Sequence, residues 1–139
     1  MPGMLIIAHA PLASSLRAVA VHAYPECLGV IEALDVAPDA SIETVESAAR
    51  AMLQRVGNPD ALIFTDVFGA TPCNVAQRLA DGVHVKVIAG VNVPMLWRSL
   101  CYAHEPLNAV AARALTGATQ GVFEVEGGKV QGQSSSGQP

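Results

Sequence analysis

Four short aliphatic runs constrain this chain more than any other feature: "MLIIA" at residues 4–8, "LGVIEAL" at 28–34, "ALIFT" at 61–65 and "VHVKVIA" at 83–89. Each is followed by a longer stretch whose apolar residues recur at helical spacing. Runs of this length, bounded by turn residues, read as buried strands. Strands that alternate with helices cannot close as hairpins. They pack as a parallel sheet with right-handed crossovers and helices on its faces. Composition agrees: 51% of residues are hydrophobic and only 4% aromatic, which suits aliphatic strands under Ala-rich helices.

The helices follow from periodicity and punctuation. Leu12, Leu16, Val19 and Ala20 share one face and predict a helix over Leu12–Ala23. Ser41 reads as an N-cap, with Glu43 where the helix dipole favours a negative charge; that helix stops near Val56, before Gly57-Asn58-Pro59. Thr71 as cap and Pro72 in the first turn open the next, which ends before Asp81-Gly82. Pro94 opens a helix to about Tyr102, and Pro106 opens another that ends at Gly117. "GVFEVE" at 121–126 alternates with period two and predicts a last strand at a sheet edge or an interface. Residues 127–139 are rich in Gly, Ser and Gln and read as a flexible tail, leaving one domain over 1–126. The expected fold is therefore α/β: a mainly parallel, doubly wound sheet with helices on both faces, plus a C-terminal antiparallel edge strand.

Several function classes drop out. The chain has 139 residues and a net charge of −4, with no cluster of Lys and Arg, which argues against nucleic acid or an anionic membrane surface as partner. Cys27, Cys73 and Cys101 are odd in number and lack C-x-x-C spacing, so neither a disulfide framework nor a zinc site is expected, and a reducing, cytoplasmic setting fits. No apolar run approaches the ~20 residues that span a bilayer, and direct membrane insertion is not expected. The first 23 residues are apolar but lack a basic start and are interrupted by His9 and Arg17, unlike a leader. There is no P-loop, no G-x-G-x-x-G, no G-x-S-x-G and no H-E-x-x-H, so no metal or organic cofactor is expected.

What remains is a position argument. In open parallel sheets, ligands bind beyond the carboxyl ends of the strands, where strand order reverses. His9, Asp66 and residues 90–92 all fall just past strand ends and so share one rim. His9 reads either as a strand-end polar residue or as a nucleophile or base; His22, His84 and His104 read as surface or packing residues. Asp66 reads either as a turn carboxylate or as an orienter that fixes the His9 tautomer, so that the other ring nitrogen presents its lone pair. "GATPCN", Gly69 to Asn74, is a glycine turn into a helix, whose free N–H groups suit a phosphoryl group. The stretch after His9, through Ala10 and Pro11, supplies a second helix start. Together they form a candidate anion site from Ala10, Gly69, Ala70 and Thr71 beside a nucleophile. Cys73 in this turn reads as a packing cysteine or a reactive thiol.

With these residues in view, the chain resembles the IIA component of the mannose family of the phosphoenolpyruvate-dependent sugar phosphotransferase system. "IIAHAPLASSL" around His9, "FTDVFGATPCN" at 64–74 and "VKVIAGVNVPML" at 85–96 carry the resemblance, which covers roughly residues 4 to 125. It implies that His9 takes a phosphoryl group from the phosphohistidine of HPr and passes it to a IIB protein or domain, with Asp66 as its hydrogen-bond partner. It also implies a homodimer, in some members with the last strand crossing to the partner. Thr71 stands where the family usually has serine, and Phe68 where it often has tryptophan or leucine; Phe68, Asn74 and Asn92 form the rim expected to face partner proteins. Ala10, Ala70 and Cys73 depart from the family pattern, which usually has glycine after the histidine.

Three functions follow from these readings. The first is a phosphocarrier in sugar transport. The second is a regulatory module of an incomplete phosphotransferase system, choosing a protein target by the phosphorylation state of His9. The third is an unrelated enzyme with His9 as general base, which requires a deep pocket in place of an open rim.

Overall fold

The computed structural model describes residues 1–128. Its elements run β1 (Gly3–His9), α1 (Leu12–Ala23), a 3-10 turn (Pro25–Cys27), β2 (Ile31–Val36), α2 (Ile42–Val56), β3 (Ala61–Thr65), α3 (Thr71–Leu79), β4 (Val85–Ala89), α4 (Val93–Cys101) and α5 (Leu107–Gln120). The four strands are all parallel, in the order β2-β1-β3-β4. β1 and β3 lie in the centre, so every residue of β3 and all of β1 except His9 are buried. That burial on both faces is why these two runs are unbroken aliphatic stretches rather than alternating ones.

Side-chain alternation splits the interior in two. Met4, Ile6, Ala8, Leu62 and Phe64 pack against α1, α4 and α5 on one face. Leu5, Ile7 and Ile63 pack against α2 and α3 on the other. The chain steps from β1 outward to β2, then back across β1 to β3. Strand order therefore reverses between β1 and β3, whose ends carry His9 and Asp66.

Where boundaries differ from expectation, side chains have captured the backbone. β4 starts at Val85, not at residue 83, because the Asp81 carboxylate accepts the N–H groups of Val83, His84 and Val85 at 2.7–2.9 Å. These three bonds hold the Asp81 carboxyl down at about 2. β2 starts at Ile31 because residues 28–30 form a turn, with Val30 N–H donating to the Cys27 carbonyl and Arg17 donating to the carbonyls of Leu28 and Ile31. Ser41 caps α2 through its Oγ, which accepts from Thr44 N–H. Thr71 is not a cap: it is the first residue of α3, and Ala70 holds the cap position without a side-chain bond.

α5 runs through Gly117 to Gln120. Gly117 serves close packing there, since a Cβ would lie 2.5 Å from the Arg98 Cβ on α4. Residues 122–126 form no strand, so the antiparallel edge strand expected from "GVFEVE" is absent among the described residues. A strand exists only through a ladder with a neighbouring strand, and none of the described strands lies beside this segment; Val122, Phe123 and Val125 stay exposed. Most of the expected tail, 129–139, lies outside the described residues.

Candidate functional site: a histidine oriented by a carboxylate

β1 ends by lifting His9 out of the core: its side chain is 51% exposed, whereas that of Asp66, on the next strand end, is 9% exposed. Asp66 Oδ2 accepts from the His9 backbone N–H at 3.0 Å and meets the ring Nδ1 at 2.7 Å. Asp66 Oδ1 accepts the Val67 N–H at 2.8 Å. Burial pushes this carboxyl up, but the backbone N–H and ring of His9 and the N–H of Val67 outweigh it and hold it below the ordinary aspartate range. A carboxylate only accepts, so the proton of the pair sits on Nδ1. The other ring nitrogen, Nε2, then carries a lone pair facing solvent.

The loop after β4 fixes the carboxylate's backbone. Gly90 N–H donates to the Asp66 carbonyl at 3.1 Å and Val91 N–H to that of Thr65 at 3.0 Å. Asn92 is a helix cap: its Oδ1 accepts the Met95 N–H at 2.8 Å and the residue is half-buried. Its Oδ1 is therefore engaged in capping α4.

The two helix starts are not equivalent. His9 shares strand parity with Leu5 and Ile7, which places it on the face of α2 and α3. Asp35 has the opposite parity and sits at the start of α1, where its carboxylate accepts from Ser14 N–H at 3.0 Å and Ser14 Oγ at 2.5 Å. Ala10 N–H donates to the Val36 carbonyl at 3.0 Å. The α1 start thus already holds an anion, and the Ala10 amide has a partner. The α3 start is different. Gly69 turns at φ 91°, a conformation glycine adopts readily, and the N–H groups of Gly69, Ala70 and Thr71 have no partner among the described residues. Phe68 in this turn is 75% exposed. Asn74 is also exposed, and its Nδ2 lies 3.5 Å from the Gly69 carbonyl. Cys73 is buried.

Asp35, which binds Ser14 at the start of α1, is a neighbour of this rim that the sequence reading does not single out. The signal for it was present: an acid at the end of an aliphatic strand, opposite a serine in the first turn of a helix. Among the described residues, no group of three His, Cys, Asp or Glu side chains is placed to hold a metal ion, and no helix is long and apolar enough to cross a membrane.

Fold and site together define a parallel α/β protein that presents an oriented, outward-facing imidazole at the switch point of its sheet, beside the start of α3. Residues 3–115 match the family described as PTS system fructose IIA component, and the chain belongs to it, among the mannose-type IIA components of the phosphotransferase system. The PTS system mannose-specific EIIAB components of Escherichia coli K12 and Shigella flexneri are 36% identical to it over 69 residues, which is 48% of this chain and 21% of theirs. This match thus spans about a fifth of the length of those curated relatives. Among solved structures, the mannose/sorbose-specific IIA subunit from Enterococcus faecalis superposes with a TM-score of 0.81 at 22% identity, covering 93% of this chain and 98% of that one. Component EIIA from Streptococcus agalactiae superposes with a TM-score of 0.78 at 19% identity, covering 89% and 97%. The family's proteins are phosphotransferases that work with IIB components in sugar transport.

Proposed function

We propose that this chain is a phosphocarrier that receives a phosphoryl group on His9 from the phosphohistidine of HPr and passes it to a IIB protein or domain. The observation that carries this reading is the 2.7 Å contact between His9 Nδ1 and a carboxylate held deprotonated. In the forward step the Nε2 lone pair attacks phosphorus, and the new N–P bond forms as the donor's N–P bond breaks. The electron pair of that broken bond returns to the donor imidazole. The Nδ1 proton stays between His9 and Asp66, where the carboxylate stabilises the positive charge that grows on the ring. The Gly69, Ala70 and Thr71 amides offer hydrogen bonds to the phosphoryl oxygens. Ala10 is left out of that cradle because its N–H already has an acceptor. Phe68 and Asn74 face the protein partners. The exposed apolar side chains of Val122, Phe123 and Val125, which follow α5 where Gly121 packs on Pro94, support a homodimer in which a second copy covers them.

The test is direct. Incubated with phosphoenolpyruvate, enzyme I and HPr, the protein gains one acid-labile phosphoryl group by intact mass. His9→Ala gains none. A label that persists in His9→Ala, or no label on the wild type, ends this reading.

A further inference from the structure

A cavity of about 440 Å3 opens in the layer of α1, α4 and α5, on the face of the sheet opposite to the one His9 shares with α2 and α3. Tyr24, just past α1, forms one wall, and Gly117 and Gly121 at the end of α5 form another. Between them runs one stripe of α4. Pro94, Trp97, Arg98 and Cys101 recur at helical spacing along it, while Met95, Leu96, Ser99 and Leu100 turn into the core. A volume of this size lies within the range of small-molecule sites, about 300–1,000 Å3.

The charge of the lining says what fits. Arg50, Arg55, Arg78 and Arg113 each hold a carboxylate. Arg98 does not: among the described residues its guanidinium donates only to the neutral Gln120 side chain, at 3.3 Å. The residue is half-buried, and its stem is held against α5, since a Cβ on Gly117 would meet the Arg98 Cβ and Cγ at 2.5 and 2.9 Å. A partly desolvated guanidinium with only a neutral acceptor gains most from a carboxylate, which it can bind through two parallel hydrogen bonds. The rest of the lining is largely aromatic and apolar. Trp97 is 43% exposed, and Tyr24 is half-buried. Burial, with the Cys101 thiol beside it, pushes the Tyr24 phenol up, so its hydroxyl is protonated and can donate. We infer that this cavity binds a small aryl carboxylate, its ring against Trp97 and Tyr24 and its carboxylate on Arg98. A sugar fits poorly, because Val93, Pro94 and the two glycines offer its hydroxyls no side-chain partner. This inference does not rest on the phosphocarrier reading.

Trp97 is the only tryptophan in the chain, so its fluorescence reports on the cavity directly. The full chain is titrated with hydrocinnamate and with the neutral hydrocinnamamide, neither of which absorbs where tryptophan is excited. Hydrocinnamate shifts the Trp97 emission with a Kd on the order of 1 mM, the strength of a fragment of this size. The amide binds roughly tenfold more weakly. Arg98→Gln brings the acid down to the level of the amide at a wild-type Tm, and Cys101→Phe, which fills the wall, weakens both. If Arg98→Gln does not fold, the acid-to-amide ratio on the wild type and the Cys101→Phe titration decide. Equal affinity for acid and amide, an undiminished acid affinity in either variant, or no response at roughly ten times the expected Kd overturns the inference. Acid binding that falls as protein concentration rises puts a second copy on this face and overturns it too.

Discussion

Two histidine–carboxylate pairs sit at opposite edges of the same sheet. His9 Nδ1 lies 2.7 Å from Asp66 and His84 Nδ1 lies 2.8 Å from Asp60. By distance alone they are the same motif. Their surroundings separate them. Asp66 is nearly buried and accepts two backbone N–H groups as well as the ring, whereas the Asp60 side chain is 31% exposed and, among the described residues, bonds only His84. His9 stands beside the start of α3, where unpartnered amides favour an anion. His84 stands past the end of α3, next to Asp81, where the helix dipole and a second carboxylate favour a cation. The Asp60 bond and charge, with Asp81 behind them, raise the His84 imidazole above its ordinary range. One pair lies where an anion is favoured, which suits the phosphoryl group of the proposed function, and the other lies where a proton is held. A ring–carboxylate distance is thus not enough to define a site; the nearer helix end and the burial of the carboxylate decide its chemistry.

The sharpest way to break this contrast is to exchange the roles. His9→Gln abolishes phosphoryl labelling and His84→Gln leaves it at the wild-type level, read by intact mass on both variants. Labelling lost in His84→Gln would make the far edge part of the site. The carboxylates come next. Asp66→Asn removes the acceptor that sets the tautomer and lowers the rate of label transfer by roughly 10- to 100-fold, the range seen when such orienting partners are lost. Asp60→Asn leaves the transfer rate unchanged. Equal effects of the two substitutions in rapid-quench kinetics would erase the distinction.

Much of this was legible in the sequence, and the failures have physical causes. β3 and α1 were bounded correctly because a wholly buried strand and an amphipathic helix write their limits in apolar periodicity. His9 and Asp66 were placed on one rim because parallel topology fixes where strand ends lie. The starts of β2 and β4 were misplaced, since side chains, Asp81 and Arg17 among them, tie down the turns before those strands. No periodicity reports such bonds. The α1 start was read as a second phosphoryl cradle because, without strand register, nothing revealed that Asp35 faces Ser14 while His9 faces the opposite side of the sheet. "GVFEVE" is a sound local pattern with no partner strand among the described residues.

Acid and base titrations sharpen the same comparison with a smaller effect. The folded-state pKa of Asp66 is depressed, so its contribution to stability is complete above the ordinary aspartate value and is lost as pH falls through the lowered one. That of His84 is raised, so its contribution is complete below the ordinary histidine value and is lost as pH rises through the raised one. Plots of Tm against pH for Asp66→Asn and His84→Gln therefore depart from wild type on opposite sides: Asp66→Asn at neutral pH, converging in acid, and His84→Gln in mild acid, converging as pH rises above the histidine range. Parallel curves would contradict the assignment.

The smallest expected effect tests where the polar requirements of the His9 edge end. Thr65 immediately precedes Asp66, is fully buried, and its Oγ1 has no hydrogen-bond partner among the described residues. It sits opposite Ile7 in the β1–β3 register and on the side of Ile63, so it lies beneath His9 on the α3 face. A buried hydroxyl without a partner costs on the order of 1–3 kcal/mol, and a methyl of the same shape does not. Thr65→Val is therefore expected to raise stability by about 1 kcal/mol, a Tm gain of a few degrees. The transfer rate should stay at wild type, because the ring is oriented by Asp66 and the cradle is made of backbone amides, neither of which needs this hydroxyl. A variant that is more stable yet slower in transfer would extend the site's polar network one residue down β3. A less stable one would show that the hydroxyl is satisfied in solution.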